Sequence, residues 1–314
     1  MNNLKSEAMI VRYLYDPVSN SFFAESETAN QLLSTTIPQI VWVITDKCIY
    51  RCPFCFQPKT NTEFSVNHLK EYIQLFKQLG VQKIDVSGGE PLYYKYLATV
   101  VDSLLAHGIS VTISSNGSGT EDNQKWIIAN SGRLGRIIIS LNGPTEGQCD
   151  QLCGKRGAFN TFLTFYKRLK ESGSNNIRIN TVITNIFLDD DNISSLVETI
   201  KDLAPDEWCL IEPHPDNKLP TFDNYTITTA QFLEIVKTIE AKMDKTQTSM
   251  IIRTIRNYSG YWILNPDGKL MLHSDGCRNP ICIPFGAENI VEILATTNEY
   301  GLWLPTKNNK EKKR

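Results

Sequence analysis

The feature that most limits the fold of this 314-residue chain is a regular alternation of strand-like and helix-like segments between residues 39 and 243. Six short runs have strand character: 39–45 (QIVWVIT), 83–87 (KIDVS), 110–114 (SVTIS), 136–140 (RIIIS), 176–184 (NIRINTVIT) and 207–213 (EWCLIEP). Helical stripes follow them. Residues 66–79 place apolar side chains at 66, 69, 72, 73, 76 and 79, which is a helical period. Residues 96–108, 123–130, 158–173, 192–203 and 229–243 continue the pattern, with Gly108 and Gly173 as stops. Alternation of this kind implies a parallel sheet with right-handed crossovers. Six units are two fewer than an eight-fold barrel needs. The expected fold is therefore α/β, a partial (β/α)6 TIM-like barrel with small β extensions at both ends.

Four regions are expected. Residues 1–38 form an N-terminal β-hairpin extension, with strands at 9–15 and 21–26 about the turn DPVSN. Residues 39–245 are the barrel. Residues 246–306 are a C-terminal extension whose hairpin, 260–273, turns at Asn265-Pro266-Asp267-Gly268. Residues 307–314 are a charged, disordered tail. A net charge of −2 gives no basic field for nucleic acid. No apolar run reaches the roughly 20 residues of a membrane helix, and the first 20 residues lack an apolar signal core. The expectation is a cytoplasmic protein with no nucleic-acid or membrane partner.

Eight cysteines stand at 48, 52, 55, 149, 153, 209, 277 and 282. In such a chain, clustered thiols point to metal or redox chemistry rather than to a disulfide framework. Cys48, Cys52 and Cys55 are spaced C-x3-C-x2-C directly after the first strand. A structural zinc site takes four ligands, and a C-x2-C redox pair takes two. Most cubane clusters take four thiolates, one per iron. Three thiolates on one loop hold three irons of a [4Fe–4S] cube and leave the fourth open to an outside ligand.

This motif, with Phe54 before the last cysteine, resembles the radical S-adenosylmethionine (radical SAM) enzymes. The resemblance covers roughly residues 39–213 and extends to SGGEP (87–91), SSNGS (114–118), SLNGP (140–144) and LCGKRGAF (152–159). It is nearest to the peptide-modifying, sulfatase-maturase-like branch, while CPFCF, SNGS and NTVIT resemble viperin-like enzymes. It implies that SAM chelates the open iron and that one electron cleaves it to a 5′-deoxyadenosyl radical, which takes hydrogen from a substrate. It implies Cys48, Cys52 and Cys55 as cluster ligands and Phe54 beside the adenine. Ser87, Gly88, Gly89 and Glu90 would meet the SAM ammonium, Gly88 and Gly89 by allowing close backbone approach. Ser115, Asn116, Ser140, Arg156 and Asn180 would be further SAM contacts, Arg156 for the carboxylate. These segments lie at the C-terminal ends of predicted strands, where parallel folds place ligands.

The remaining cysteines leave alternatives open. Cys277 and Cys282 are too few for a second cubane, so no auxiliary cluster is expected, and Cys149 and Cys153 read as plain thiols. Cys209, read at a strand end facing the mouth, is a candidate hydrogen-atom donor, and His214 a lesser candidate for proton transfer. The expected substrate is a peptide or protein, matured by excision, epimerisation, crosslinking or oxidation. A small recognition protein would bind its leader, and flavodoxin or ferredoxin would donate electrons. The alternatives are a nucleotide or other small molecule, with Lys155, Arg156, Arg253 and Arg256 for phosphates, or a non-catalytic iron–sulfur or zinc-binding protein.

Overall fold

The structure, a computed structural model, describes residues 14–16, 21–23, 39–55, 57, 59–213, 222–243, 248–254, 261–273 and 282–285. His214, Arg256, Cys277 and the charged tail lie outside the described residues, as does the side chain of Cys282. At the N-terminus β1 (Leu14–Asp16) pairs antiparallel with β2 (Ser21–Phe23), as the turn between them predicts.

The barrel begins with β3 (Gln39–Thr45) and continues through α1 (Leu69–Gln78), β4 (Lys83–Gly88), α2 (Leu97–Ala106), β5 (Ser110–Ser115), α3 (Glu121–Asn130) and β6 (Arg136–Ser140). Two helices follow, α4 (Glu146–Cys153) and α5 (Ala158–Glu171). Then come β7 (Ile177–Val182), α6 (Asp190–Leu203), β8 (Glu207–Ile211), α7 (Thr229–Lys242) and β9 (Ser249–Arg253). The C-terminal segment adds β10 (Tyr261–Leu264), β11 (Lys269–His273) and β12 (Cys282–Pro284). Side-chain caps start several helices. Thr120, Thr145 and Asp189 accept from backbone N–H groups of the first turn, and Thr228 with Gln231 forms a capping box.

Ten strands form one sheet in the order β12-β11-β10-β3-β4-β5-β6-β7-β8-β9, parallel from β10 through β9. This is the open, partial barrel that the alternation implies. Two features go beyond the six expected units. The run 249–253 forms a seventh parallel strand after α7, and the C-terminal hairpin is not a separate layer. Its turn forms as expected, with Asn265 N–H donating to Lys269 O at 2.8 Å, but β10 then adds in parallel to β3. Phe285 beyond it packs on Tyr72 and Phe76 of α1.

Alternate residues divide the sheet's two faces. Ile40, Trp42, Ile84, Val86, Val111, Ile113, Ile137, Ile139, Ile177, Ile179, Trp208 and Leu210 join the helices in one buried core. The other face, inside the curve, carries most of the polar strand residues: Asp85, Ser87, Thr112, Ser114, Arg136, Ser140, Arg178, Asn180, Glu207, Cys209 and Arg253 alternate with the core set, beside Val41, Val43, Ile138 and Ile251. Its floor is an ion triad. Glu207 accepts from Arg136 Nη2 and from Arg178 Nε, both at 2.8 Å. Arg178 is 2% exposed, so its charge depends on Glu207 for compensation.

Glu207→Ala is therefore expected to destabilise the apoprotein by about 3–5 kcal/mol, the cost of leaving a buried charge unpaired. Anaerobic urea denaturation checks it; an unchanged midpoint would mean that the triad is not a structural anchor.

Candidate active site

The cysteine loop leaves the C-terminal end of β3 and is held at both ends by backbone bonds. Asp46 N–H donates to Thr62 O at 3.0 Å and Phe64 N–H to Ile44 O at 2.8 Å. Asp46 Oδ2 accepts from Thr60 N–H and from Thr60 Oγ1. The next strand end closes on it, as Gly89 N–H donates to Thr45 O and Glu90 N–H to Lys47 O, both at 2.8 Å. A Cβ on Gly88 would lie 2.4 Å from Thr45 O, and one on Gly89 would lie 2.5 Å from both Asp46 O and Lys47 O. The two glycines thus have a reason that the sequence did not disclose: the close approach they permit is to the cysteine loop's own backbone.

Glu90 is completely buried. One carboxylate oxygen accepts from Leu92 N–H at 3.1 Å and Ser115 Oγ at 2.7 Å; the other accepts from Asn116 N–H at 2.6 Å. Burial pushes its pKa up to about 7 against these three donors. Glu90 and Ser115 therefore spend their polar groups on each other, joining the β4 turn to the β5 turn. Ser115 Oγ also accepts from Gly117 N–H at 2.9 Å. Asn116 points its Nδ2 at Cys48 Sγ, 3.5 Å away, and its Oδ1 accepts from Ser118.

Cys48, Cys52 and Cys55 are each partly buried and sit on this loop, with Cys55 N–H donating to Cys52 O at 3.1 Å. Burial pushes Cys48 up to about 11, with the nearby Glu90 charge adding to it, and raises Cys55 as well. The neighbouring Cys153 thiol holds Cys52 low. Lys59 opposes the rise at Cys48 and Cys55 and helps to lower Cys52; it also donates to Tyr50 O. Sequence reasoning missed this lysine, because only the folded loop brings it beside the thiols. Among the described residues no three His, Cys, Asp or Glu side chains gather as a single metal ion would gather them. A four-iron cube instead takes one thiolate per iron. The donor set fits such a cube: three thiols lie on one backbone-locked loop, and the Cys48 sulfur already receives Tyr50 N–H and Asn116 Nδ2.

The other expected site residues are spread along the same strand ends. Phe54 packs on Leu152 of α4, beside Val182, Ile186 and Tyr225. Ser87, Ser140 and Asn180 lie on the polar inner face, Ser140 in register with Asn180, whose Oδ1 is buried without a partner. Arg156 is exposed, on a turn that Asp150 fixes by accepting from Gly157 N–H at 2.6 Å and Phe159 N–H at 3.0 Å. Cys209 departs from its expected place. It occupies the middle of β8, not its end, is fully buried, and lies between Asn180 and Ile251. Burial raises its pKa.

Residues 42–203, half of the chain, match the model of the Radical SAM superfamily. The chain belongs to this superfamily. Among curated relatives, GTP 3′,8-cyclase of Aquifex aeolicus (strain VF5) is 27% identical over 170 residues. That match covers 51% of this chain and 52% of the cyclase, so the chain spans about half the cyclase's length. The S-adenosylmethionine-dependent nucleotide dehydratase of Flammeovirga pacifica is 24% identical over 268 residues, covering 77% of this chain and 88% of that protein. The crystal structure of Streptococcus suis SuiB bound to precursor peptide SuiA superposes with a TM-score of 0.69 at 16% identity. It covers 98% of this chain and 79% of SuiB, which establishes a shared fold. The radical SAM superfamily carries a [4Fe–4S] cluster and SAM.

Glu90→Gln is expected to cost the apoprotein about 1–3 kcal/mol, since an amide nitrogen must then face a buried donor. The substitution also removes a pH slope. A carboxyl titrating near 7 when folded and near 4.5 when unfolded holds its proton longer in the native state. Its contribution to stability therefore falls as pH rises from 4.5 to 7. Anaerobic urea titrations of wild type and variant across that window check both effects.

Proposed function

We propose that Cys48, Cys52 and Cys55 hold the [4Fe–4S] cluster of this radical SAM enzyme and that its substrate is a nucleotide or a similar phosphorylated small molecule. The observation that carries the first part is the three-thiol loop locked by Gly88 and Gly89 onto the end of the neighbouring strand. When bound, cluster and SAM supply a 5′-deoxyadenosyl radical able to take hydrogen from a C–H bond; the protein orients and shields.

Each residue's part follows from its contacts. The Gly88–Glu90 turn presents backbone carbonyls for the SAM ammonium. Glu90 and Ser115 are positioning residues for that turn, because their side chains are already engaged with each other. Ser87, Ser140 and Asn180 have inner-face positions suited to direct SAM contacts, and Arg156, on its fixed turn, suits the carboxylate. Phe54, in its apolar cluster, forms the wall beside the adenine. Cys209 keeps its proton because of burial, the state that a hydrogen-atom donor requires. An external flavodoxin or ferredoxin supplies the electron.

Two observations favour a nucleotide. The dehydratase relative is matched along most of its length, and the inner face carries the guanidinium group of Arg253 at the C-terminal end of β9, chemistry suited to phosphate. The second reading is the peptide substrate, with a separate leader-binding protein. It is favoured by the superposition on SuiB and by the N-terminal hairpin, whose edge suits strand pairing with an extended peptide.

Anaerobically reconstituted enzyme is expected to release 5′-deoxyadenosine several-fold faster with one of the four common ribonucleoside triphosphates. Stimulation by a peptide and by none of the triphosphates would reverse the ranking of substrates. Changing Cys48, Cys52 and Cys55 together to alanine is expected to abolish both iron loading and SAM cleavage. Retention of either would refute the ligand assignment.

A further inference from the structure

The cysteine loop turns two residues outward between two of the assigned ligands. Along Cys48-Ile49-Tyr50-Arg51-Cys52 the cysteines are partly buried and Tyr50 is buried, while Ile49 and Arg51 are exposed. Tyr50 is anchored in the core, so its two neighbours face the other way. Ile49 is 43% exposed, one of four large apolar side chains so placed among the described residues.

Three cations flank this segment. Arg51 folds back over the loop, its Nη1 donating to Cys48 O at 2.7 Å and to Tyr50 O at 3.0 Å. Lys59 Nζ donates to the same Tyr50 O, so two positive charges meet at one carbonyl. The third is Lys155, exposed on the turn that ends α4. Arg51 N–H donates to Cys153 O at 2.8 Å, and a Cβ on Gly154 would lie 3.0 Å from Arg51 Cβ. The turn that carries Lys155 is thereby held against Arg51. Among the described residues no carboxylate pairs with Arg51, Lys59 or Lys155; Lys47, before Cys48, is paired with Glu63 at 2.8 Å. In a chain of net charge −2 this is a local excess. Like charges gathered in this way repel one another and add nothing to the stability of the isolated chain.

We propose that this patch is the docking surface for an acidic one-electron carrier protein of the flavodoxin kind, with Ile49 at its apolar centre and Arg51, Lys59 and Lys155 as its rim. The inference rests on the assignment of the loop cysteines as cluster ligands. An apolar side chain with a charged rim is the anatomy of a protein contact, and positive rim charges steer a negative partner. The position points to an electron donor. Ile49 is bonded to Cys48 and Arg51 to Cys52. Electron transfer slows steeply with distance, and a carrier seated on these two residues is within a few covalent bonds of two ligand sulfurs. One electron passes from the carrier's flavin to the cluster. The flavin goes from anionic hydroquinone to neutral semiquinone, and no bond or proton moves.

The test pairs binding with two ways of reducing the same enzyme. Binding of an acidic flavodoxin to anaerobically reconstituted protein is measured by calorimetry at low and at high salt. Wild type is expected to bind, and more weakly as salt screens the patch. Ile49→Glu and Lys155→Glu are each expected to weaken binding about tenfold. Lys237→Glu makes the same charge change as Lys155→Glu on the exposed side of α7, and is expected to keep binding within about twofold. Release of 5′-deoxyadenosine, without nucleotide, is then driven by subsaturating reduced flavodoxin or by dithionite, a small reductant that needs no docking surface. With flavodoxin the Ile49 and Lys155 variants are expected to slow in step with their binding; with dithionite they keep the wild-type rate. Wild-type affinity in Ile49→Glu or Lys155→Glu overturns the inference, as does an equal loss in Lys237→Glu or an equal slowing with both reductants. If dithionite-treated wild type shows no [4Fe–4S] signal, the ligand assignment fails and the inference with it. A normal signal with no flavodoxin binding overturns the docking surface alone.

Discussion

The arrangement depends on a place where two backbones meet with no room for a side chain. Gly88 and Gly89 rest on the carbonyls of Thr45, Asp46 and Lys47. Any other residue there would have to push the cysteine loop away from β4. A loop that begins with such a junction cannot drift, because its first residues are bonded to a strand end that the parallel sheet already fixes. Glu90 carries the same constraint one strand further, since its buried carboxylate gathers the β5 turn. Three successive strand ends become one platform. Preorganisation of this kind is what a site built from several loops needs.

The parts of the fold legible in the sequence were those with a local period. The strands β3 to β8 and the long helices read clearly because their apolar residues repeat at two or at 3.6 positions. Helix α4 did not, because its buried face is Cys149, Leu152 and Cys153, and two thiols within a polar segment do not read as an apolar stripe. Strand β9 is five residues with a single short apolar run at a sheet edge, too brief a signal to separate from a loop. The hairpin at β10 and β11 was legible, but not its destination. Parallel pairing of β10 with β3 joins residues more than 200 positions apart, and nothing local encodes it.

The candidate site was legible as chemistry and not as orientation. The spacing of Cys48, Cys52 and Cys55 is a property of the chain, so their shared loop follows from sequence. Which way Glu90 and Ser115 point is a property of packing. The motifs point both toward a ligand, yet their polar atoms face each other. Cys209 shows the same limit: a residue two positions before the end of a strand can be solvent-facing or deep, and here a flanking seventh strand buries it. Lys59 and Cys153 had no signal at all, since what matters in each is a neighbour brought near by folding.

These contacts also make the three loop thiols unequal. Cys48 receives N–H donors from Tyr50 and from Asn116 on the β5 turn. Cys52 is held low by the neighbouring Cys153 of α4. Cys55 is supported by the backbone of Gln57 within its own loop. Three sulfurs of identical chemistry thus answer to three different parts of the fold: a strand end, a helix and the loop itself. Removing one support should leave the other two in place, because the donors share no partner. A platform locked by glycines, with separately supported sulfurs, separates two tasks: the backbone fixes where the thiols stand, and their neighbours set how readily each holds negative charge.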